Sequence, residues 1–225
     1  MNQTPAHDQA NTDLISMIPP GVSHIVDVGC MHGALARVYR ESDPAARVTG
    51  VDLDPDYAEV ARRHCTNAIA GNIETMPDEE FAQLADADCW VFGDCIEHLR
   101  DPWAVLKRIR SVIDPAGSLV ACIPNAQHWS VQWRLLSGNF RYEDSGLLDR
   151  THIRWFTRTT MLEMFAQTGW VVEQGVTRQI NTPEQTQYLE AIRQCATASG
   201  LDPALAVEDA KPFQYLFRLK PAFVQ

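Results

Sequence analysis

Two carboxylates and an imidazole lie within the five residues of the stretch DCIEH, from Asp94 to His98. Asp94, Glu97 and His98 are spaced i, i+3 and i+4, a spacing that places side chains on one face of a helical turn. An imidazole with a reference pKa of about 6.5 accepts a proton readily near neutral pH. Two carboxylates and an imidazole can also bind a divalent metal ion. The stretch therefore has the groups for general-base chemistry or for metal chemistry.

Other proton-accepting groups lie in residues 126–157, where aromatic and polar residues are mixed without a regular period. His128 follows the sequence PNAQ at the end of an apolar run, and Asp149 and His152 lie close together in LLDRTH. Each of these histidines is a further candidate base. Asp149 and His152 either act together as a second general base or form a hydrogen-bonded brace.

The same segment contains Trp129 and Trp133 at helical spacing, with Trp155 and Phe156 nearby. One interpretation is a lid that covers the substrate and excludes water. The other is an aromatic cluster packed beneath a long connection, which is common for tryptophans at this spacing. Because a connection of this length inside a compact domain is typically functional, we predict that residues 126–157 form a lid and acceptor insertion.

The elements that must position these groups alternate between apolar runs of strand length and stretches of helical period, such as PDYAEVARRHC and PWAVLKRIRSVI. This alternation is typical of a parallel sheet covered by helices. The predicted strands are SHIVDV, RVTGVDL, NAIAGNI, DCWVFGD, GSLVACIPN, WVVEQGV and FQYLFRLK. We predict one α/β domain over residues 1–225 with a doubly wound, mainly parallel seven-stranded sheet. A second insertion, at residues 181–210, is predicted to be helical and to precede the last strand.

Ligands of such sheets bind beyond the carboxyl ends of the strands, where the loop VGCMHG follows the first predicted strand. A dinucleotide loop follows Gly-x-Gly-x-x-Gly, and its second glycine lets the backbone approach a pyrophosphate. Counted from Gly29, the second and third glycines fall on Met31 and Ala34. A nicotinamide dinucleotide therefore fits poorly. Taken alone, the loop is also compatible with a strand-to-helix turn that binds no ligand.

The loop resembles that of the class I S-adenosylmethionine-dependent methyltransferases, which follows acidic-x-Gly-x-Gly-x-Gly. Asp27, Gly29 and Gly33 match this pattern, and Met31 replaces its middle glycine. S-adenosylmethionine has no pyrophosphate, so a side chain at position 31 is tolerated if it points away from the ligand. The stretch DCIEHLRDP is similar to the family's D-x-L-E-H-x-x-D-P block. The stretch LLDRTHIRWFTRTTMLEMFAQTGW resembles the acceptor-side segment of a branch found with sugar and natural-product tailoring genes.

This resemblance implies the Rossmann-like methyltransferase fold and S-adenosylmethionine as the cofactor. It implies that Asp52 accepts both ribose hydroxyls, that Leu53 and Ile73 cover the two faces of the adenine, and that the Asn72 amide binds its amino group. Asp54 is predicted to cap the following helix instead. The cofactor-binding residues implied in this way are Asp27, Gly29, Cys30, Met31, Gly33, Asp52, Leu53, Asn72, Ile73, Asp94 and Cys95.

The implied reaction is an in-line displacement at a methyl carbon, for which alignment of the acceptor can supply about 7–11 kcal/mol. A hydroxyl acceptor also needs a base. His98 is the first candidate, followed by His128, His152 and Asp149, although His98 could instead cap or pack its loop. The D-x-x-E-H pattern is also similar to an E-x-x-E-H triplet that binds a divalent metal in ubiquinone-pathway O-methyltransferases. Asp94 is then either a metal ligand or a contact of the cofactor's amino group, and we expect no metal site.

The composition limits the partners and the compartment. A formal charge of −10 argues against a protein that coats nucleic acid or an anionic membrane. The six cysteines show no Cys-x-x-Cys pair, which favours buried thiols in a reducing compartment. No apolar run approaches the roughly 20 residues of a membrane span, and the N-terminus lacks the pattern of a signal peptide. We expect a cytoplasmic protein that acts on a small-molecule acceptor. The sequence leaves open whether it forms a homodimer.

The leading hypothesis is a small-molecule methyltransferase that acts on an oxygen of a sugar or a secondary metabolite. One alternative is an enzyme that consumes S-adenosylmethionine by displacement within its methionine chain and releases methylthioadenosine. Another is a module that binds the cofactor without turnover. An NAD oxidoreductase comes last because the glycine spacing fails. The product separates the first two hypotheses, since methyl transfer leaves S-adenosylhomocysteine.

Overall fold

Seven strands form one sheet in the computed structural model, which describes residues 8–222. The strand order is β3-β2-β1-β4-β5-β7-β6, and β7 is antiparallel to both of its neighbours. The strands are β1 His24–Val28, β2 Arg47–Asp52, β3 Asn67–Ala70, β4 Cys89–Gly93, β5 Ser118–Pro124, β6 Trp170–Gln179 and β7 Pro212–Pro221. The predicted doubly wound, mainly parallel seven-stranded sheet is confirmed.

Nine α-helices connect or flank these strands in the described residues. They are α1 Thr12–Ser16, α2 Ala34–Ser42, α3 Pro55–Ala61, α4 Asp78–Ala82, α5 Pro102–Val112, α6 Trp129–Leu136, α7 Arg158–Gln167, α8 Gln185–Ala198 and α9 Pro203–Ala210. A short 3-10 helix, Ile96–His98, follows β4. None of the helices within residues 8–222 combines the length and the apolarity needed to cross a lipid bilayer.

The central strands are buried on both faces because helices cover both sides of the sheet. Successive side chains of β4 point to opposite faces, so Trp90 and Phe92 enter one apolar cluster and Cys89 and Val91 enter the other. The first cluster also contains Trp170. This double cover explains why these strands read as continuous apolar runs in the sequence.

The sequence did not predict α1 and α4, and it placed several boundaries too far along the chain. Each of these two helices has five residues, which is too short to show a helical period. The helix α3 ends at Ala61, before the end of the predicted run, and β3 ends at Ala70 rather than at Ile73. Residues 1–7, on which the expectation about a signal peptide partly rests, lie outside the described residues.

The two insertions pack against each other rather than lying apart. The indole ring of Trp129 stacks on the ring of Tyr188 in α8, with 5.0 Å between the centroids and 8° between the planes. Trp133 lies 4.6 Å from the same ring. The buried side-chain amide of Asn125 donates to two main-chain carbonyls at 2.8 Å each, those of Asp209 and Pro212. These contacts fix the first insertion, residues 126–157, to the elements that precede β7.

Gly33 lies at the start of α2 with φ of 77°, and a Cβ atom there would lie 3.3 Å from the main chain of Ala61. We expect Gly33→Ala to lower the free energy of unfolding more than Gly21→Ala does. Gly21 has φ of 79° with nothing within 4 Å, so it isolates the left-handed backbone penalty of about 1–2 kcal/mol. Urea unfolding measures both losses, and equal losses would contradict the steric part of the explanation.

Candidate active site

A cavity of about 240 Å³ opens at the carboxyl ends of β1 and β4. Its walls come from the loop after β1, the segment after β4, the first insertion, the start of β7 and residues 9–14. The polar and charged lining residues are Gln9, Asn11, Asp27, Asp94, His98, Ser145, Asp149, His152 and Gln214. The loops that the sequence analysis placed at one edge of the sheet therefore meet around one space.

The loop after β1 has three residues in the left-handed region of the backbone. Gly29 and Gly33 have φ of 77°, and Met31 has φ of 46°. An L-residue in this region costs about 1–2 kcal/mol, which explains why glycine would suit position 31. The Met31 amide donates to a carboxylate oxygen of Asp52 at 2.8 Å, and this bond offsets the strain. Met31 lies in the cavity wall, a position compatible with its predicted place among the cofactor-binding residues.

Asp52 is buried at the end of β2 and joins two loops. One carboxylate oxygen accepts the Met31 amide, and the other accepts the Asp54 amide at 2.9 Å. The side chain of Asp54 caps α3 by accepting the amides of Asp56 and Tyr57, as the sequence predicted. Asp52 therefore shapes the loop after β1 in addition to its predicted role toward the cofactor's ribose.

Asp27 lies at the carboxyl end of β1 and is buried. Burial, together with the negative charge of Asp52, raises the pKa of Asp27 to about 7. A buried carboxylate of this kind is stabilised by a positively charged partner. Asp27 also lines the cavity, so a ligand can supply that partner.

Other predicted cofactor residues lie beside the cavity rather than in its wall. Leu53 is 52% exposed, whereas Ile73 is buried in the first apolar cluster. The Asn72 side-chain oxygen accepts the Glu74 amide at 2.9 Å and so shapes its own turn. Cys95 packs under the loop after β1, since a Cβ atom on Gly29 would lie 3.2 Å from its sulfur. These four residues are outside the cavity wall that the described residues form, and so are Asp52 and Gly33. Cys30 is part of the wall.

The spacing predicted that Asp94, Glu97 and His98 share one face of a helical turn, and this prediction is wrong for Asp94. It has φ of 52° and precedes the 3-10 helix, which begins only at Ile96. One oxygen of its carboxylate accepts a hydrogen bond from the side-chain amide of Gln214 in β7. The left-handed turn at Asp94 therefore separates its carboxylate from the group that Glu97 and His98 form.

Glu97, His98 and His152 form a cluster between the 3-10 helix and the first insertion. Glu97 is fully buried, and neither oxygen of its side chain has a hydrogen-bond partner among the described residues. Burial first, and then the charge of Asp94, raise the pKa of Glu97 well above its usual range. Burial lowers the pKa of His98, and burial with the neighbouring His98 lowers the pKa of His152 to about 4. Near neutral pH this cluster therefore holds two neutral imidazoles and favours a neutral carboxylic acid.

The three side chains of the cluster each have a nitrogen or oxygen atom within 4.8 Å of the others. This spacing is compatible with a metal ion that takes one atom from each side chain, and such binding requires the ionised form of Glu97. Nδ1 of His98 lies 3.1 Å from the Thr151 carbonyl oxygen, so Nε2 is the ring nitrogen that stays available to a ligand or a proton. The arrangement suits proton transfer, and the expectation of no metal site stays a prediction.

Asp149 is buried in the cavity wall, and its Oδ1 accepts the Thr151 amide at 2.7 Å and the Thr151 hydroxyl at 2.6 Å. The His152 amide donates to the main-chain carbonyl of Asp149 at 3.1 Å. Of the two readings of this pair, the contacts favour a hydrogen-bonded brace. His98 lies next to the same threonine and lines the cavity.

His128 does not line the cavity formed by the described residues. Its Nδ1 accepts the Ser130 amide at the start of α6, so the side chain caps that helix. Burial lowers the pKa of His128 to about 4. This geometry favours a structural role for His128, and its suggested catalytic role stays a prediction. Trp129 and Trp133 are also outside the cavity wall that the described residues form. They pack on Tyr188 of α8, which is the aromatic cluster of the second interpretation.

Sequence reasoning missed the N-terminal part of the cavity wall. Arg178 of β6 donates to the carboxylate of Asp13 at 2.9 Å and to the side chains of Asn11 and Gln214. On the other side, Arg37 donates to the Asp8 carbonyl at 2.9 Å. The available signal was Asn11 followed by an acid in the first turn, which is a helix start.

Comparison with known proteins agrees with this geometry. Residues 7–174 match the model of a family described as "Methyltransferase domain". An uncharacterized 37.1 kDa protein in transposon TN4556 of Streptomyces fradiae is 28% identical over 83% of this chain and 56% of its own length. A ubiquinone biosynthesis O-methyltransferase of Xanthomonas axonopodis pv. citri is 28% identical over 45% of this chain and 43% of that protein. The chain spans about half the length of these curated relatives.

A solved structure shares the fold at low sequence identity. It is the O-methyltransferase of a trans-AT PKS multienzyme from Brevibacillus brevis in complex with S-adenosyl-L-homocysteine. The TM-score is 0.60 at 15% identity, and the match covers 94% of this chain and 71% of that chain. Since the family model matches most of its length, this chain belongs to the methyltransferase-domain family.

Proposed function

We propose that the enzyme transfers the methyl group of S-adenosylmethionine to a hydroxyl oxygen of a small molecule, with His98 as the general base. The observation that carries this proposal is the shared cavity, which both the loop after β1 and His98 line. An uncharged imidazole beside the cofactor site is the group that a hydroxyl acceptor needs. The similarity to proteins described as O-methyltransferases supports oxygen as the acceptor atom.

In this proposal the residues at the ends of β1 and β2 hold the cofactor. Asp27 pairs with the ammonium group of its methionine part, which supplies the positive charge that a buried carboxylate lacks. Asp52 accepts the ribose hydroxyls, since each of its oxygens can accept more than one hydrogen bond. Leu53 and Ile73 lie against the adenine, and the Asn72 amide faces its amino group. When bound, the cofactor supplies an electrophilic methyl group.

The charges around the cavity favour an uncharged acceptor. Asp27, Asp94 and Asp149 line it, whereas the lining residues in the described part of the chain include no lysine or arginine. A phosphate or carboxylate placed here would face like charges without a compensating cation. Phe213 and Pro124 add apolar surface to the wall. These features support a neutral hydroxylated compound with an apolar portion.

Incubation with S-adenosylmethionine and a panel of neutral phenols, catechols and methyl glycosides tests the function. We expect S-adenosylhomocysteine to form only when an acceptor is present, and we expect carboxylated analogues of active acceptors to react more slowly. Mass spectrometry identifies both products. Methylthioadenosine as the main product, or binding of S-adenosylhomocysteine with no turnover of any acceptor, would count against the proposal.

Replacement of His98 tests the base. His98→Ala should lower kcat by about 10²–10⁴-fold, the usual contribution of general-base catalysis, and leave the affinity for S-adenosylhomocysteine unchanged. Because burial lowers the pKa of His98 from its ordinary value of about 6.5, the kcat of the wild type at saturating cofactor should be constant from pH 7 to 8 and should fall only below that ordinary value. Initial rates measured across this pH range show where the rate begins to fall at acid pH. His64→Ala, a histidine outside the cavity wall, is the control, and full activity in His98→Ala would exclude the role.

The pairing of Asp27 with an ammonium group makes cofactor affinity dependent on pH. The free protein must release a proton from Asp27 below its pKa of about 7, so binding of S-adenosylhomocysteine should weaken as pH falls, by up to about tenfold per pH unit. Calorimetric titrations at pH 5.5, 6.5 and 8 measure this slope. Asp27→Asn should bind weakly with a flat profile, and the exposed Glu41→Gln should behave as wild type. A flat profile in the wild type would contradict the pairing.

A further inference from the structure

The ring of His98 meets two oxygen atoms of one residue. Its Nδ1 lies 3.1 Å from the carbonyl oxygen of Thr151 and 3.1 Å from the hydroxyl oxygen of the same side chain. A carbonyl oxygen only accepts hydrogen bonds, whereas a hydroxyl group can either donate or accept. The direction of the hydroxyl hydrogen therefore decides whether both neighbours of Nδ1 are acceptors.

Asp149 determines that direction. Its carboxylate oxygen Oδ1 lies 2.6 Å from the Thr151 hydroxyl oxygen, and a carboxylate only accepts. The Thr151 amide donates to the same oxygen at 2.7 Å, which fixes the threonine relative to the aspartate. Because the hydroxyl group has a single hydrogen and gives it to Asp149, its oxygen faces Nδ1 of His98 as an acceptor.

We propose that Asp149 and Thr151 position His98 in the tautomer that has its hydrogen on Nδ1 and a free lone pair on Nε2. Nε2 is then the nitrogen that accepts the acceptor's proton, while the proton on Nδ1 stays hydrogen-bonded to Thr151. Thr151 is a positioning residue that acts through His98, and Asp149 acts through Thr151. This inference rests on the proposed function, because it specifies how His98 serves as the base.

The positioning joins two separate parts of the chain. His98 follows β4, whereas Asp149 and Thr151 belong to the insertion at residues 126–157. The carbonyl oxygen of Glu97 accepts the amides of Ile153 and Arg154 at 3.0 Å each, which holds the insertion against the 3-10 helix. The base is therefore in its working tautomer only when the insertion is docked.

The other titratable groups near His98 leave this assignment intact. The ring of His152 lies edge-on to that of His98, with 4.8 Å between the centroids. Glu97 precedes His98 in the chain, and its carboxyl group lies nearer to His152, with 3.8 Å between Oε1 and Nε2. Neither group makes a hydrogen bond to the His98 ring, so among residues 8–222 it is Thr151 that sets the tautomer through hydrogen bonds.

Nitrogen NMR of the ¹⁵N-histidine-labelled protein bound to S-adenosylhomocysteine tests the inference without an acceptor. The two-bond and three-bond ¹⁵N–¹H pattern distinguishes the tautomers, and His98→Gln assigns the signals. We expect His98 of the wild type to have its hydrogen on Nδ1. Asp149→Asn lets the Thr151 hydroxyl donate to Nδ1 and should shift the population toward hydrogen on Nε2. Thr151→Val removes one of the two acceptors and leaves the carbonyl oxygen, so it should shift the population in the same direction by less. Thr151→Ser should keep the wild-type pattern.

Two NMR outcomes overturn the inference: a wild type with the hydrogen on Nε2, and variants of both Thr151 and Asp149 with unchanged spectra. If Thr151→Val does not fold, Thr151→Ala takes its place. The exposed Thr177→Val controls for the loss of a threonine hydroxyl elsewhere.

Kinetics separate this inference from the proposed function. With an acceptor from the panel, Thr151→Val and Asp149→Asn should lower kcat at least about tenfold with little change in KM, since a base in the wrong tautomer fails in the chemical step. Thr151→Ser should restore most of the activity. If His98→Ala is inactive but these variants retain full kcat, the positioning is wrong and the function stands. If His98→Ala is fully active, the proposed base itself is wrong.

Discussion

The reversal of strand order between β1 and β4 determines where the rest of the site lies. The chain runs outward through β2 and β3 on one side of β1 and through β4 and β5 on the other, so the connections at the carboxyl ends diverge and leave a crevice. The loop containing Gly29 and the turn at Asp94 border this crevice from opposite sides. The insertion and the start of β7 then complete the walls, because both are joined to the strand β5 that lies beside β4.

The crevice concentrates negative charge in a buried place. Burial first, and then the charge of Asp52, raise the pKa of Asp27 to about 7, so the free protein compensates the charge of Asp27 incompletely. Such an arrangement lowers the stability of the free protein and favours a ligand with positive charge. S-adenosylmethionine has a sulfonium and an ammonium group, so the same feature that is unfavourable without the ligand contributes to its binding.

The sequence predicted those parts of the site that short motifs and strand periodicity describe. Asp27, Gly29 and Asp52 were placed correctly at strand ends, because each follows an apolar run at a fixed spacing. The sequence could not predict contacts between distant segments, such as His98 with Thr151, 53 positions apart, or Asp94 with Gln214, 120 positions apart. The irregular backbone of residues 137–157 has no period, so no pattern indicated which of its side chains face the cavity. The same limit applies to His128, whose neighbours in the chain suit a cap as well as a base.

Besides the contacts of the His98 ring, two main-chain hydrogen bonds link the insertion to the 3-10 helix, from the amides of Ile153 and Arg154 to the Glu97 carbonyl. Main-chain bonds survive most substitutions at the positions that make them, proline excepted. Positions 153 and 154 can therefore drift during evolution without releasing the insertion. Nearby cavity positions such as Ser145 can then change as well. A change of preferred acceptor is therefore compatible with an unchanged arrangement of His98 and Thr151.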